Sequence, residues 1–349
     1  MIDILKDILP YISGLYTLPW ILVGLIVTVL IAKVTGREKI DIVMKKIGLV
    51  LLYFFVPLLL FRIFLTVDFG FEQFAFIIVT SIVLIFMYIL AYVFAKYKAD
   101  KYGLEKSDKQ LFIKTVITNQ GRSSAFIGGA LLASPWYVEA AIFIALVGVV
   151  LFFAIPFMLS HMHKKETKKS DDHILALPWY LRLYPWYLLS FAIAAIILHG
   201  PLNVNVDWTT PEAVVFIFYT AITIPAALYY VGAGIHPRDL KIAEMKKLFS
   251  LKNNSKDHWP LVRSIFLLIV VITPAIITVF FGLLFSLGLI SAAWFAIIVI
   301  NSFLPITSTN MFLVPYGIDK KVTALSITWT TIVCVPIIVF LIYAFTIYL

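Results

Sequence analysis

Thr118-Asn119-Gln120-Gly121-Arg122-Ser123-Ser124 interrupts an apolar run, with Leu111–Ile117 before it and Ala125–Ala133 after it. A run of ~20 apolar residues reads as a membrane-crossing helix. A charge near the middle of a bilayer costs at least ~2.5–3.5 kcal/mol, so it marks a functional site by default. Arg122 lies about 12 residues into its segment, or ~18 Å along a helix at ~1.5 Å per residue. From that depth its side chain cannot easily snorkel to water. The string therefore predicts an internal polar cavity, with a structural pairing of Arg122 as the plainer alternative.

The rest of the chain agrees with a membrane setting. Of its 349 residues, 62% are hydrophobic and 13% charged, and the mean hydropathy is +1.00. Soluble domains carry about twice that share of charge, ~25%. A net charge of +9 would suggest nucleic acid in a soluble protein, but here the basic residues follow membrane topology. Cys334 is the single cysteine and can form no intrachain disulfide. Met1–Leu9 carries acids as well as Lys6 and does not read as a cleavable signal. No polar stretch exceeds about 25 residues, so no soluble domain is expected.

Ten spans are predicted, at roughly 16–35, 45–66, 72–96, 110–133, 138–160, 181–199, 211–235, 260–286, 290–315 and 322–347. Of the 28 basic residues, all but Lys6, Arg62 and Arg122 lie in the odd-numbered connections or in the adjoining span ends. The excess of Lys and Arg on the cytoplasmic side places those connections inside and both termini outside. Trp20, Trp136, Tyr137 and Trp208 then fall near the outer surface, and Trp179, Tyr180, Tyr184, Trp186 and Trp259 near the inner one, as interfacial belts.

The halves share a punctuation. Pro57 in the second span is answered by Pro225 in the seventh, and Pro156 in the fifth by Pro336 in the tenth. The break at Asn119–Ser124 is answered by Asn301, Ser302, Pro305, Thr307, Ser308, Thr309 and Asn310 in the ninth span. An odd number of spans per half makes the second repeat run opposite to the first. The expected fold is an all-α integral membrane protein of ten helices in two inverted five-helix repeats, residues 1–160 and 181–349, joined by a cytoplasmic linker at 161–180. Inverted repeats with interrupted helices in matching positions point to a secondary-transporter site.

Gly121 tolerates an unwound backbone, and Pro305 forbids a regular helix. The candidate substrate-binding set is Asn119, Gln120, Gly121, Arg122, Ser123, Asn301, Pro305, Thr307, Ser308, Thr309 and Asn310, with Gly121 and Pro305 as the helix breaks. Hydroxyls and amides beside each break can meet stranded backbone groups, and a half-helix after each break would turn a positive end toward mid-membrane. With Arg122 these make an anion site, since the guanidinium fork matches a carboxylate. Helix-to-helix glue is the bland reading of such Thr, Ser and Asn residues.

Asp68, Glu72, Glu139 and Glu212 all fall at outer span ends, so no intramembrane carboxylate offers a proton or sodium relay. Arg62 lies near an outer end and is expected to snorkel. His161, His163 and His173 sit in a lysine-rich loop without metal-ligand spacing, and His199 and His236 flank span ends. Asp171-Asp172 has no second acidic cluster to face. No metal, cofactor or nucleic-acid partner is expected, and no set of catalytic groups appears, which sets an intramembrane enzyme aside. A channel would need a continuous polar lining.

Asn301-Ser302-Phe303-Leu304-Pro305-Ile306-Thr307-Ser308-Thr309-Asn310, continuing to Tyr316-Gly317-Ile318-Asp319, resembles the ninth helix of the auxin efflux carrier family. Ile224-Pro225 through Gly232-Ala233-Gly234 resembles that family's seventh helix, and the region of Pro57 its second. The likeness covers nearly the whole chain. It implies a scaffold of helices 1, 2, 6 and 7 and a transport domain of helices 3–5 and 8–10, with crossed helices 4 and 9. It also implies an elevator-like motion, a homodimer through the scaffold, a place in the cell membrane and export of small organic anions such as auxin-like carboxylates. The chain departs from the family in having Gly128-Gly129 where the fourth helix usually carries a proline, and a short central connection, His161–Leu177. Sodium-coupled bile-acid-type symporters share the layout and stand as the alternative.

Overall fold

The computed structural model describes residues 2–12, 19–66, 70–123, 136–167, 179–235, 258–307, 310, 313–314 and 316–349. No strand occurs among the described residues, which are overwhelmingly helical. Five of their helices are long and apolar enough to cross a membrane: Glu38–Leu65, Phe71–Lys101, Pro211–Gly234, Trp259–Ser286 and Lys320–Tyr348. Trp20–Thr35, Trp186–His199 and Ala292–Ser302 are shorter apolar helices. Isoleucines 78, 82, 85 and 89 lie exposed along one face of the Phe71–Lys101 helix. A soluble helix would hide that stripe, whereas lipid accepts it. The protein is an all-α, membrane-embedded chain.

Local chemistry sets the helix starts. Thr210 accepts from the Ala213 N–H with Pro211 in the first turn, and Ser291 accepts from the Trp294 N–H, each at 3.3 Å. Asp319 accepts from the Lys321 and Val322 N–H groups, both at 2.9 Å. Just before Thr210, the Thr209 hydroxyl and N–H both donate to Asp207, holding that exposed carboxyl below the usual carboxylate range. A short helix, Ile2–Ile8, packs against Pro211–Ala221; its mixture of acids and apolar residues gave no span-length signal.

Prolines shape the helix interiors. Three π turns, Leu51–Phe55, Val150–Ala154 and Leu268–Ile272, each end two residues before a proline: Pro57, Pro156 and Pro274. Proline offers no N–H and clashes with the carbonyl four residues back. A widened turn absorbs that clash without ending the helix.

The chain divides into two compact units. One comprises Met1–Phe74, Ser124–Phe153 and Leu183–Ile235; the other comprises Ala75–Ser123, Ala154–Arg182 and His236–Leu349. In the first, Trp20–Thr35 and Thr223–Gly234 cross at backbone contact. A Cβ on Gly24 would lie 2.1 Å from the Tyr229 carbonyl oxygen, and one on Gly232 only 1.8 Å from that of Ile21. Small residues at a crossing allow this approach. Arg62 belongs to this unit and does not snorkel. It donates to the Ile217 carbonyl at 3.1 Å and to Thr220 Oγ1 at 2.7 Å, and so ties Val56–Thr66 to Pro211–Ala221. A carbonyl and a hydroxyl within reach compete successfully with the interface for its donors.

The second unit has its core on a stripe of alanines. Ala91, Ala95 and Ala99 bring the Phe71–Lys101 helix close to Val262, Ile265 and Ile269 and to Val322, Leu325 and Trp329. Trp259 packs in the same core, while Tyr184 of the first unit is buried edge-on against Tyr53. These two, like Trp136, are buried against protein.

Candidate functional site

The second unit contains both interrupted helices. Lys106–Thr118 stops where Asn119–Ser123 leave helical geometry, and Ala292–Ser302 stops before Phe303–Thr307. Pro305 restricts the residue before it to extended backbone, and Gly121 imposes no side chain on the stretch opposite. The two irregular stretches pair with each other, antiparallel. The Ser123 N–H donates to the Pro305 carbonyl at 2.9 Å and the Thr307 N–H to the Gly121 carbonyl at 3.0 Å, flanking a bridge between Arg122 and Ile306. Each break thus meets backbone groups stranded by the other, which in a bilayer would each cost several kcal/mol if left unmet. Thr330 Oγ1 takes the Ile306 N–H at 3.3 Å, and Asn310 Nδ2 donates to the Thr118 carbonyl at 2.9 Å.

Arg122 sits at the middle of this crossing with 1% of its surface exposed. Its Nη1 donates to the Leu304 carbonyl at 2.8 Å and, more weakly, to the Ile269 carbonyl at 3.4 Å. The second acceptor has a local cause. The Thr273 N–H bonds five residues back to Leu268 across the π turn, and Pro274 has no N–H, so the Ile269 carbonyl has no helical donor. Nε and Nη2 have no hydrogen-bond partner among the described residues, and no carboxylate there pairs with the guanidinium. Leaving a buried charge uncompensated costs several kcal/mol.

Amides surround the crossing. Gln120 Nε2 donates to the Met87 carbonyl at 3.1 Å and to Thr273 Oγ1 at 3.3 Å, while its Oε1 is unpartnered. Asn119 Nδ2 donates to Thr323 Oγ1 at 3.3 Å, and Asn310 Nδ2 reaches Asn119 Oδ1 at 3.5 Å. Asn310 Oδ1 and both amide atoms of Asn301 are buried without a partner among the described residues. Buried polar side chains are normally satisfied, so such a concentration marks a place where a further polar group belongs.

The structure brings most of the sequence-derived set together. Gly121 meets Thr307, Ser123 meets Pro305, Asn119 meets Asn310, and Arg122 meets the carbonyl before Pro305. Asn301 is buried at the end of its helix with no bond into the network. Ser308, Thr309 and the half-helix expected after the first break lie outside the described residues, and of the stretch after the second only Asn310, Leu313, Val314 and Tyr316 are described before the turn at Gly317.

Several contributors escaped the sequence reading. Lys114, counted there with the basic connections, is buried and donates to the Tyr316 carbonyl at 3.4 Å. Next to it, Thr115 Oγ1 accepts from the Asp319 N–H at 2.8 Å, so the end of one broken helix is pinned to the start of Lys320–Tyr348. A polar face of that last helix, Thr323, Ser326, Thr330 and Thr331, is buried. Its signal was present as Thr and Ser at three- and four-residue spacing, hidden by the overall apolarity of the segment. Pro274 was also legible, as a proline inside an apolar span, but its consequence for a carbonyl was not.

No family model matches the chain, and no curated protein matches it either.

Proposed function

We propose that this chain is a multi-pass secondary transporter that moves small organic anions across the cell membrane, in the manner of the auxin efflux carrier family its motifs resemble. On this reading its spans are ten, in two inverted five-helix repeats, with both termini outside. Helices 1, 2, 6 and 7 form a scaffold that dimerises, and the crossing of helices 4 and 9 rides on a moving element.

One observation carries the reading: Arg122, buried and uncompensated, stands where two broken helices meet among unpartnered amides. A cation in that position calls for an anion, and a transported anion supplies one. Two further observations support it. Thr118 and Ser302, the last residues of the two interrupted helices, are separated along the chain by the same interval as Arg122 and Ile306, as matched repeats require. The Trp20–Thr35, Arg37–Val50, Trp179–His199 and Pro211–Gly234 regions group largely in one unit and the helices that lead into both breaks, Lys106–Thr118 and Ala292–Ser302, in the other, although Ser124–Phe153, with most of the fifth span, groups with the first. The described spans contain no central carboxylate, so export is driven by the substrate's own charge. A negative-inside potential favours an anion's exit by ~2.3 kcal/mol per charge per 100 mV.

Counterflow in proteoliposomes tests this. Vesicles preloaded with an unlabelled carboxylate should accumulate the same labelled anion saturably. Flux that does not saturate, or counterflow of cations and not anions, would overturn the reading. The unpartnered oxygens of Gln120, Asn301 and Asn310 favour one second reading, a sodium-coupled anion symporter of the bile-acid type, because amide oxygens are sodium ligands. Counterflow that stops when sodium is replaced by choline would select it.

A further inference from the structure

We propose that the Nε–Nη2 edge of Arg122 is the recognition element of the site, a fork that takes one carboxylate side-on; this deepens, and rests on, the reading of the chain as an anion carrier. A guanidinium offers its five N–H groups along distinct edges. Nε and Nη2 share one edge, and their parallel N–H bonds match the two oxygens of a carboxylate. Both nitrogens of that edge are buried and without a hydrogen-bond partner among the described residues. Nη1 is occupied, held by the Leu304 and Ile269 carbonyls.

The division of labour is built into the chain. Pro305 ends the helix that would otherwise engage the Leu304 carbonyl. Pro274 removes the donor that would otherwise engage Ile269. Two prolines on separate segments therefore aim the same guanidinium. The backbone of Arg122 is fixed independently, because its neighbours Gly121 and Ser123 are bonded to Thr307 and Pro305. A side chain clamped at both ends loses little freedom when ligand arrives, and this preorganisation favours affinity. A guanidinium needed only for internal pairing would have its Nε and Nη2 hydrogens satisfied, because unmet buried donors are costly.

A fork distinguishes anions by shape. Carboxylates gain two parallel hydrogen bonds, chloride gains charge alone, and a neutral carboxamide gains neither the charge nor the second acceptor. Lysine at position 122 keeps the charge and loses the fork, so it separates the fork from simple electrostatics.

The test uses the full chain in nanodiscs, labelled with 15N-arginine, with the Arg122 Nε–H signal assigned by its loss in Arg122→Lys. Acetate, benzoate and 4-hydroxybenzoate are titrated, with sodium chloride and benzamide as controls. At least one carboxylate should move the Arg122 Nε–H proton downfield saturably, and neither control should. Affinity for that carboxylate should fall about ten- to a hundredfold in Arg122→Lys, as expected for loss of a charge-assisted hydrogen bond. If Arg122→Lys does not purify, Arg62→Lys removes the other internal arginine signal, and the carboxylate-sensitive resonance must survive in it. A carboxylate that undergoes saturable counterflow while leaving the Arg122 Nε–H unmoved overturns the fork and leaves the carrier reading standing. Absence of both binding and counterflow for every carboxylate overturns both. An equal response to chloride overturns the fork.

Discussion

Alanine at position 232 should separate two helices that are now in backbone contact. Its Cβ would stand 1.8 Å from the Ile21 carbonyl oxygen and 2.7 Å from the carbonyl carbon. The obstacle is backbone, so no rotamer change relieves it, and the helices must part by more than about 1 Å at their crossing. Overpacking of this kind costs ~1–3 kcal/mol, and the rigid obstacle places this case at the upper end. Gly24→Ala meets the Tyr229 carbonyl oxygen at 2.1 Å from the opposite helix. Both substitutions are relieved by the same separation, so the double variant should cost clearly less than the two single costs added together. Gly234→Ala is the control. Nothing lies within 4 Å of its added Cβ, and alanine there should be neutral or stabilising by up to ~1 kcal/mol. Thermal unfolding of the purified variants in detergent, followed by intrinsic tryptophan fluorescence, reads all four. Equal midpoints for Gly232→Ala and Gly234→Ala would refute the argument that close approach is what position 232 requires.

Four other outcomes can be checked directly. Cysteines at Ser170 and Asn203, in a Cys334→Ala background, should be labelled by an impermeant reagent from opposite sides of the membrane; labelling of both from one side contradicts the topology. Pro274→Ala restores a donor to the Ile269 carbonyl, so it should weaken carboxylate binding by less than Arg122→Gln does while leaving the melting temperature near that of the parent protein. Thr115→Val leaves the Asp319 N–H without its 2.8 Å acceptor and should cost ~1–3 kcal/mol in unfolding. Export from loaded vesicles should proceed equally in sodium and choline media, and a strict sodium requirement would move the chain to the symporter reading.

How much of this was legible in the sequence depended on the range of the interaction. Apolar runs and the positions of Lys and Arg are local signals, and they located the long helices. Polar strings at Asn119–Ser123 and Asn301–Asn310 are local too, and the helices do stop there. That the two strings pair residue for residue, Gly121 with Thr307 and Ser123 with Pro305, is a tertiary fact without a sequence pattern. Lys114 and Arg62 were misplaced for one shared reason. A charged residue within a few positions of a span end looks solvated, yet both find protein acceptors, the Tyr316 carbonyl in one case and the Ile217 carbonyl and Thr220 hydroxyl in the other. Gly24 gave no warning, because a glycine in an apolar helix is common and only its partner helix makes it necessary.

Prolines connect these observations into one construction rule. A proline inside a membrane helix leaves a carbonyl without its usual donor, and lipid offers no replacement. At Pro57 the Tyr53 carbonyl, four residues back, faces a residue that has no N–H, and the Tyr187 hydroxyl donates to it at 2.9 Å. At Pro274 the π turn deprives Ile269, and Arg122 Nη1 donates to it. In each unit, then, a released carbonyl recruits a polar side chain from a different segment, and the recruited group is fixed in orientation. In the first unit the recruit is a neutral phenol, and the result is a joint between helices. In the second it is a guanidinium with an edge to spare. The same device therefore yields structure in one place and a binding group in the other, and the difference lies in the charge and the remaining donors of the side chain recruited. Arg122→Gln tests that distinction: glutamine can still donate to the Leu304 carbonyl and hold the crossing together. The variant should unfold within ~1 kcal/mol of the parent protein, the scale of a single hydrogen bond, while anion counterflow is lost. Normal counterflow in Arg122→Gln would make Arg122 a joint like Tyr187 and return the site to the amides alone.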